Sequence, residues 1–412
     1  MKNIYIKKIL LCTLVIFFMP AYLAASDFGL VIGLHGGIGN SAMEDFTGDF
    51  RVDIWPRFSV LLGDNGEFAV SAGISMEEID KPVPELLHTE LTMRFGNSGI
   101  RAGRFNYSDP LSMAAEGLFD GFQFFHNSAA GNFRIGAWYT GFLFKKNANI
   151  TMTDNELTSY NLPLDYSDFF NTYFAPRRAF VSAGWEHPSI GEFMHLNTAV
   201  IGQFDLTEGS GFYNNQYFIV KAKIPISNLL LELGGCIETS QSSNSTESFN
   251  ISFAGDFGLF WMLPSEFNSR ISFTGRIAGG KINETITEFI PITTKYYGFI
   301  LKHKMSGLSV FTLNYSGRFS QSLGASFNAS YFIRNDMATF KGYPLQSGAV
   351  TDPEFKDFFL GPEFSARLIW SPASDLQFNL GAGAFIPFLG SAAGPDEKIL
   401  WRAELTATMS IW

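Results

Sequence analysis

The sequence predicts an all-β fold: one antiparallel up-and-down barrel of about eighteen membrane-spanning strands, with sixteen strands as the alternative. Three observations support this. Apolar and polar residues alternate with period two in many short segments, as expected where one strand face meets lipid and the other a watery interior. The connections between these segments alternate between short and long. Phe occurs 44 times, yet no apolar run after residue 26 approaches the ~18 residues of a transmembrane helix.

The first 26 residues have the pattern of a secretory signal peptide. Three lysines precede an apolar run from 9 to about 25, and the small residues at 24–26 suit cleavage before Asp27. An uncleaved anchor helix is the alternative, but Pro20 interrupts the run, which falls short of the ~20 residues that a span needs. We therefore expect a signal peptide at 1–26 and one barrel domain at 27–412. Cys236 is then the only cysteine left, so we expect no intramolecular disulfide.

Alternation and turn residues mark the strands. In 249–261, Phe249, Ile251 and Phe253 alternate with Asn250, Ser252 and Ala254. The last segment has Trp, Ala, Leu, Ala, Met and Ile at one set of alternate positions and Arg, Glu, Thr, Thr and Ser at the other. Asp64-Asn65-Gly66 is a strong hairpin signal between two segments. The predicted strands are 28–38, 50–62, 68–76, 87–95, 100–107, 119–126, 133–144, 180–186, 193–206, 217–224, 229–238, 249–261, 271–277, 308–319, 325–333, 362–370, 376–385 and 401–412.

The parity of the strand count decides how residues 279–306 are interpreted. If both chain ends lie at the rim with the short turns, the number of strands must be even. Counting 296–304 as a strand would give nineteen, and its alternation is poor. We therefore place 279–306 in a long loop or strand extension. The prediction is short periplasmic turns at one rim and long extracellular loops at the other.

The signal peptide, the alternating strands and loop lengths, and the terminal aromatic together resemble a bacterial outer-membrane β-barrel of the porin-like type. The resemblance covers essentially the whole mature chain. It implies the outer membrane as the location and insertion by the barrel-assembly machinery. One departure is that Trp412 falls in phase with polar Ser410, not with Ile411 and Met409. The stretch from Arg101-Ala102-Gly103-Arg104 to Gly117-Leu118-Phe119-Asp120-Gly121 is similar to a segment of porin-like and alginate-export-like barrels.

The polar phase of each strand gives the candidate lumen residues. A barrel of this size is too wide for side chains to fill, so it leaves an aqueous channel unless a loop closes it. Both charge signs occur, which favours a transverse field over a filter of one sign. The candidate pore-lining residues are Arg51, Asp53, His88, Glu90, Arg94, Lys221, Lys223, Glu232, Glu238, Asp256, Arg270, Arg276, Arg318, Glu363, Arg367, Arg402 and Glu404. Solvated residues that only tie strands together by ion pairs would give the same pattern.

Two long loops are candidates for narrowing the channel. The first is 108–120, with Asp109, Glu116 and Asp120 as its acidic residues. The second is 146–176, which is polar and rich in aromatic residues. Its rings could pack on the barrel mouth or stack on a sugar-like solute, and packing is favoured. Both loops could equally be ordinary surface loops.

Composition and motifs exclude several functions. The formal charge of −10 and the lack of basic clusters argue against nucleic-acid binding. The six histidines have no metal-ligand spacing, and no Gly-x-Ser-x-Gly elbow occurs, so we expect no enzyme, no cofactor and no metal. We expect passive diffusion of small polar solutes, with outer-membrane lipid as a partner and a homo-oligomer as an option. The alternative is a specific ligand transporter or adhesin that acts through the aromatic loops 146–176 and 334–359.

Overall fold

A computed structural model describes residues 26–40, 44–77, 81–207, 213–242, 249–265, 267–283, 285–336, 358–392 and 397–412. The predicted signal peptide and most of the 334–359 loop lie outside these residues. The strands are β1 (Ser26–Gly39), β2 (Thr47–Leu62), β3 (Gly66–Glu77), β4 (Val83–Phe95), β5 (Ser98–Ser108), β6 (Glu116–Ser128), β7 (Gly131–Tyr139), β8 (Arg178–Ile190), β9 (Met194–Asp205), β10 (Tyr213–Ile226), β11 (Leu229–Ser242), β12 (Asn250–Met262), β13 (Arg270–Ala278), β14 (Tyr296–Tyr297), β15 (His303–Lys304), β16 (Leu308–Arg318), β17 (Leu323–Arg334), β18 (Phe359–Ala373), β19 (Leu376–Phe385) and β20 (Leu400–Ile411).

Eighteen of these strands form one closed antiparallel barrel. The first and last strands close it, with Leu30 opposite Ile411 and Gly39 opposite Arg402. Strand β13 pairs directly with β16, so the small β14–β15 hairpin is not part of the wall. The predicted fold class and strand count are confirmed, and the sixteen-strand alternative is wrong. Residues 279–306 lie in a connection, as parity required.

The connections at the two rims differ in length. At one rim they are 63–65, 96–97, 129–130, 191–193, 227–228, 263–269, 319–322 and 374–375. The longest connections, 140–177, 279–307 and 335–358, all belong to the other rim. Helices occur only in that rim's loops among the described residues: α1 (Lys145–Ala148), α2 (Asp154–Tyr160) and α3 (Phe169–Tyr173), with 3-10 turns at Tyr166–Asp168 and Pro387–Leu389. Strand β7 ends at Tyr139, because α1 begins a few residues later. The predicted strand 133–144 was therefore too long.

The outer face of the wall is apolar and exposed. Ile237, Phe253 and Leu259, for example, are 46, 48 and 45% exposed, and they alternate with side chains that face the other way. In water a continuous belt of this kind would be unfavourable, since monomeric soluble proteins rarely expose large apolar patches. No helix among the described residues is long and apolar enough to span a membrane.

The core of the molecule lies inside the barrel. Residues 279–306, which we call the inner segment, contact the polar face of β11, β13, β18 and β20, on different sides of the wall. A segment that reaches all of these must cross the lumen. One buried cluster joins Phe289, Ile292 and Met305 to β5–β8 and β9–β13. A second joins Ile300 and Leu301 to β16–β20, so the inner segment is packed at both ends.

Candidate channel constriction

Glu238 of β11 holds the first end of the inner segment. Its buried carboxylate accepts hydrogen bonds from the amide N–H of Ile290 at 2.8 Å, from the Asn215 side chain at 2.6 Å and from the Ser252 hydroxyl. The Tyr217 hydroxyl donates to the carbonyl of Ile290. A buried carboxylate with several donors tolerates removal from water, whereas an unpaired one does not. This end is therefore fixed to the wall by backbone contacts that do not depend on the residue type at position 290.

Glu363 of β18 holds the far end in the same manner. Its carboxylate is buried and accepts the amide N–H groups of Phe299, Ile300 and Leu301 at 2.6, 2.9 and 2.9 Å. In a β-sheet these three successive N–H groups would donate to carbonyls of a neighbouring strand. Here they converge on one carboxylate, which takes the place of those carbonyl acceptors. We call Glu238 and Glu363 the two anchors. They stretch the inner segment across the lumen.

A second inward segment, 109–115, supports the first. Asp109 accepts four backbone N–H groups, those of Leu111, Met113, Ala114 and Ala115, at 2.7–3.1 Å. Burial raises the pKa of Asp109, and the four N–H donors act in the opposite direction. The carbonyl of Ala114 accepts the N–H of Ile292 at 2.7 Å, which joins the two inward segments.

An opening beside the inner segment lies between Lys302 and the wall of β20 and β1–β3. It is a cavity of about 570 Å³, which we call the polar eyelet. It contains four carboxylates, three permanent cations and one histidine. The lining residues are His35, Gly36, Asp49, Phe50, Arg51, Asp53, Trp55, Glu77, Lys302, Arg402, Glu404 and Thr406.

The charges of the polar eyelet are paired across strands. Asp53 accepts from Arg51 at 2.8 Å and lies 3.0 Å from His35. Arg402 contacts both Asp49 and Glu404. Lys302 of the inner segment reaches Glu404 at 3.6 Å. The opening is therefore bounded by ion pairs, one of which joins the inner segment to the wall.

A smaller cavity, of about 210 Å³, lies on the other side of the inner segment, next to β10–β16. There Lys221 pairs with Glu232 at 3.0 Å and with Asp256 at 2.9 Å, and Lys223 reaches Glu232 at 3.4 Å. Arg276 stacks on Tyr297 of the inner segment, 5.3 Å from the ring centre, and donates to its hydroxyl. Charges on this side are also neutralised locally.

Five cations on the same face have no carboxylate partner among the described residues, and all lie nearer to the short-turn rim. Arg57 lies over Trp412 and Arg270 over Phe260, each 5.5 Å from the ring centre. Arg94 and Arg367 are exposed, and Arg318 donates to the carbonyls of its own turn, Ser320 and Gln321. The residues are Arg57, Arg94, Arg270, Arg318 and Arg367. The strand phase also places the carboxylates of Asp27 and Glu67 on this face of the same half. The five arginines therefore lack ion-pair partners, but they are not the only charges there.

The predicted lumen residues all lie on the strand face opposite to the exposed apolar side chains, but they differ in role. Glu363 anchors backbone, whereas Arg51, Arg402 and Glu404 line the polar eyelet. Glu90 forms a two-point ion pair with Arg101, at 2.7 and 2.8 Å, within the wall. His88 lies on the same face, 3.5 Å from Glu90. The others are described above: Asp53, Arg94, Lys221, Lys223, Glu232, Glu238, Asp256, Arg270, Arg276, Arg318 and Arg367.

The predicted constriction residues need a correction. Asp109 organises its own loop and is buried. Glu116 contacts Lys295 of the inner segment. Asp120, however, lies on the outward face of β6, in phase with exposed Phe122, and forms a two-point ion pair with Arg104 at 2.9 and 2.8 Å. It does not face the channel, because it belongs to the strand and not to the loop.

The sequence interpretation missed the residues of the inner segment, above all Tyr297 and Lys302. The available signal was an apolar stretch, Phe289-Ile290-Pro291-Ile292, within a connection that does not alternate. An apolar run in a long loop needs a buried place to pack, and here the only such place is inside the barrel.

Comparisons with known proteins support the fold. No family model matches the sequence, and no curated protein matches it either. Among solved structures, Pseudomonas aeruginosa OccK2 (OpdF) matches with a TM-score of 0.63 at 13% identity, over 94% of this chain and 98% of that one. The same protein in complex with glucuronate matches at 0.61 and 12%, over 95% and 97%. P. aeruginosa OccD3 (OpdP) matches at 0.56 and 12%, over 94% and 92%. At these identities the similarity concerns the fold.

Proposed function

We propose that this chain is an outer-membrane channel through which small polar solutes diffuse passively, without catalytic turnover. The observation that carries the proposal is the anchored inner segment, which narrows the lumen of a closed barrel and leaves a polar opening beside it. A barrel with a lipid-exposed apolar wall needs no such polar opening for stability. A channel does need one.

In this mechanism the inner segment sets the size limit and the lining charges set the preference for solutes. Anchoring at both ends keeps the segment from collapsing onto one wall. The paired charges of the polar eyelet create a transverse field that orients dipolar solutes without trapping ions of one sign. A polar opening also spares a solute much of the cost of losing its water.

We propose small anions as the preferred solutes. The five arginines near the short-turn rim that have no carboxylate partner among the described residues support this, because they attract anions that have passed the polar eyelet. Two of the matching structures were solved in complex with carboxylates, OccK2 (OpdF) with glucuronate and OpdK with vanillate. The alginate-export-like subtype stays a prediction that rests on residues 101–121 alone.

Location and partners are part of the proposal. Export by a signal peptide at 1–26, insertion by the barrel-assembly machinery and a lipid-facing wall are mutually consistent. A homo-oligomer is compatible with the fold. The ligand-transporter or adhesin alternative depends on loops 146–176 and 334–359 and would become the leading one if the barrel did not conduct.

The test is single-channel recording of the purified mature protein in planar bilayers. We expect discrete steps of small conductance and a reversal potential that indicates a preference for anions over cations. Lys302→Glu should lower anion preference several-fold, since it reverses one charge of the polar eyelet. The matched control is Lys398→Glu, because Lys398 is an exposed lysine of the long-loop rim that pairs with Asp45. Barrels that insert, as judged by heat-modifiable migration, but stay electrically silent would contradict the proposal.

A further inference from the structure

A third cavity, separate from the two beside the inner segment, is formed largely by the connection between β7 and β8. It measures about 600 Å³, within the range of small-molecule sites, and we call it the rim pocket. Four aromatic rings line it in a contiguous series. Tyr139 contacts Phe142 at 4.9 Å between ring centres, Phe142 contacts Phe174 at 6.5 Å, and Phe174 contacts Phe170 at 5.9 Å.

Two of these rings are unusually exposed. Phe142 is 58% and Phe170 80% exposed, although both line the cavity. The loop therefore leaves them accessible, and a cavity lined by several aromatic rings is typical of a ligand site. Their exposure also leaves the mouth of the rim pocket open.

Lys145 gives the rim pocket its charge. Its side chain is 3% exposed, and its ammonium donates to the carbonyls of Ser159 and Leu162 at 2.9 and 2.8 Å. Among the described residues no carboxylate pairs with it. Burial lowers the pKa of Lys145, and nearby Lys146 lowers it further. A buried ammonium has three donors, and two carbonyls leave both its charge and its third donor uncompensated.

The remaining polar groups of the rim pocket do not neutralise Lys145. Among the described residues Glu156 is the only carboxylate that lines the rim pocket, and both its oxygens accept from Arg178, at 2.8 and 2.6 Å. Glu156 also accepts from the hydroxyl of Thr207. Arg177, which is exposed, adds a second cation without a carboxylate partner among the described residues. The rim pocket is therefore positively charged and aromatic.

We infer that the rim pocket binds a small soluble organic anion with an aromatic body, its carboxylate on Lys145 and Arg177 and its ring among Phe142, Phe170 and Phe174. This goes beyond passage through the barrel, because the pocket is separate from the polar eyelet. Such a site would concentrate the anion at the long-loop rim. The competing explanation is that Lys145 only caps the last carbonyls of α2, where cations are favourable.

Calorimetric titration of the folded mature protein in detergent tests the inference, with benzoate as the probe and benzamide as its neutral isostere. We expect benzoate to bind at least about tenfold more tightly than benzamide, as expected for a charge-assisted contact. Lys145→Met should weaken benzoate binding by a similar factor. The matched control, Lys146→Met, removes the exposed neighbouring charge and should change nothing.

A structural role of Lys145 predicts a different pattern. If Lys145 only capped α2, then Phe170→Ala and Arg177→Gln would leave benzoate binding unchanged, and that result would overturn the inference. Under the inference each weakens binding by a few-fold. Both positions are exposed, so these variants keep the test decisive even where Lys145→Met fails to fold. Equal binding of benzoate and benzamide, or binding of anionic lipid without benzoate, would also overturn it.

Discussion

The two anchors and the polar eyelet both depend on carboxylates inside the same barrel, but the groups that face these carboxylates differ. Glu238 and Glu363 are buried and accept backbone N–H groups of the inner segment. The carboxylates of the polar eyelet face arginine, lysine and histidine side chains. A carboxylate that accepts backbone N–H groups fixes the position of the inner segment. A carboxylate that pairs with side chains does not hold the segment's backbone, and its charge lies beside the opening.

The largest effect should come from removing an anchor. Glu363→Ala leaves three N–H groups without their acceptor and should cost about 2–4 kcal/mol of the free energy that holds the inner segment in place. We expect conductance to rise several-fold and protease cleavage to appear within the inner segment. The matched variant is Glu404→Gln in the polar eyelet, which should alter ion preference while conductance and protease resistance stay near wild type. If both variants opened the channel equally, the distinction between the two kinds of carboxylate would be wrong.

A smaller effect is expected from acid, through His303 of β15 within the inner segment. The pKa of His303 is lowered to about 4, chiefly by burial; the hydrogen bond to the carbonyl of Lys304 opposes this shift, and the charge of Lys304 adds to it. Because the pKa is lower in the packed state than the ordinary ~6.5, a released segment binds the proton more readily. Stability of the packed state is therefore complete above about pH 6.5 and falls as the pH drops toward 4, by at most about 3 kcal/mol.

Conductance measured between pH 7.5 and 4.5 checks this. We expect larger and noisier currents at the acidic end, and His303→Phe should flatten the profile because it removes the titrating group. Glu404→Gln serves again as the comparison, since it changes a charge of the polar eyelet and leaves His303 in place. If His303→Phe and the wild type showed the same dependence of conductance on pH, a group other than His303 would be responsible for the acid response.

Much of the wall could be predicted from the sequence, because a strand alternates its faces with every residue. Arg51, Asp53 and Trp55 share one phase of β2, and all three line the polar eyelet. The same rule applied to Asp120 would have put it beside Phe122 on the outward face. Asp120 lies where the predicted strand 119–126 and the candidate loop 108–120 overlap, and its interpretation as a loop residue ignores its phase in the strand. Period two is a local property and needs no knowledge of distant residues.

The inner segment could not be predicted as part of the constriction, because its contacts are not local, whereas the inward 109–115 segment lies within the candidate loop 108–120. Glu238 lies 52 residues before Ile290, and Glu363 lies 64 residues after Phe299. No sequence pattern within a strand distinguishes a glutamate that accepts hydrogen bonds from backbone N–H groups from one that pairs with a charged side chain. The inner segment itself has no regular period, since its backbone hydrogen bonds are divided among wall carboxylates, a short hairpin, β12 and the 109–115 loop, and it has no continuous neighbouring strand. Three-dimensional structure was needed to show which wall residues hold it.

The smallest effect concerns two arginines of the short-turn half that alternation treats alike. Arg318 donates to Ser320 and Gln321 of its own turn, whereas Arg367 is exposed and has no carboxylate partner among the described residues. Arg367→Ala should lower anion preference by less than about twofold, and only at low salt, since exposed charges are screened within ~10 Å at 0.1 M. Arg318→Ala should leave the reversal potential unchanged and instead loosen the 319–322 turn. Reversal potentials at 0.1 and 1 M salt test both variants. Equal shifts for the two arginines would mean that position along the barrel, and not hydrogen bonding to a turn, decides which cation acts on a passing solute.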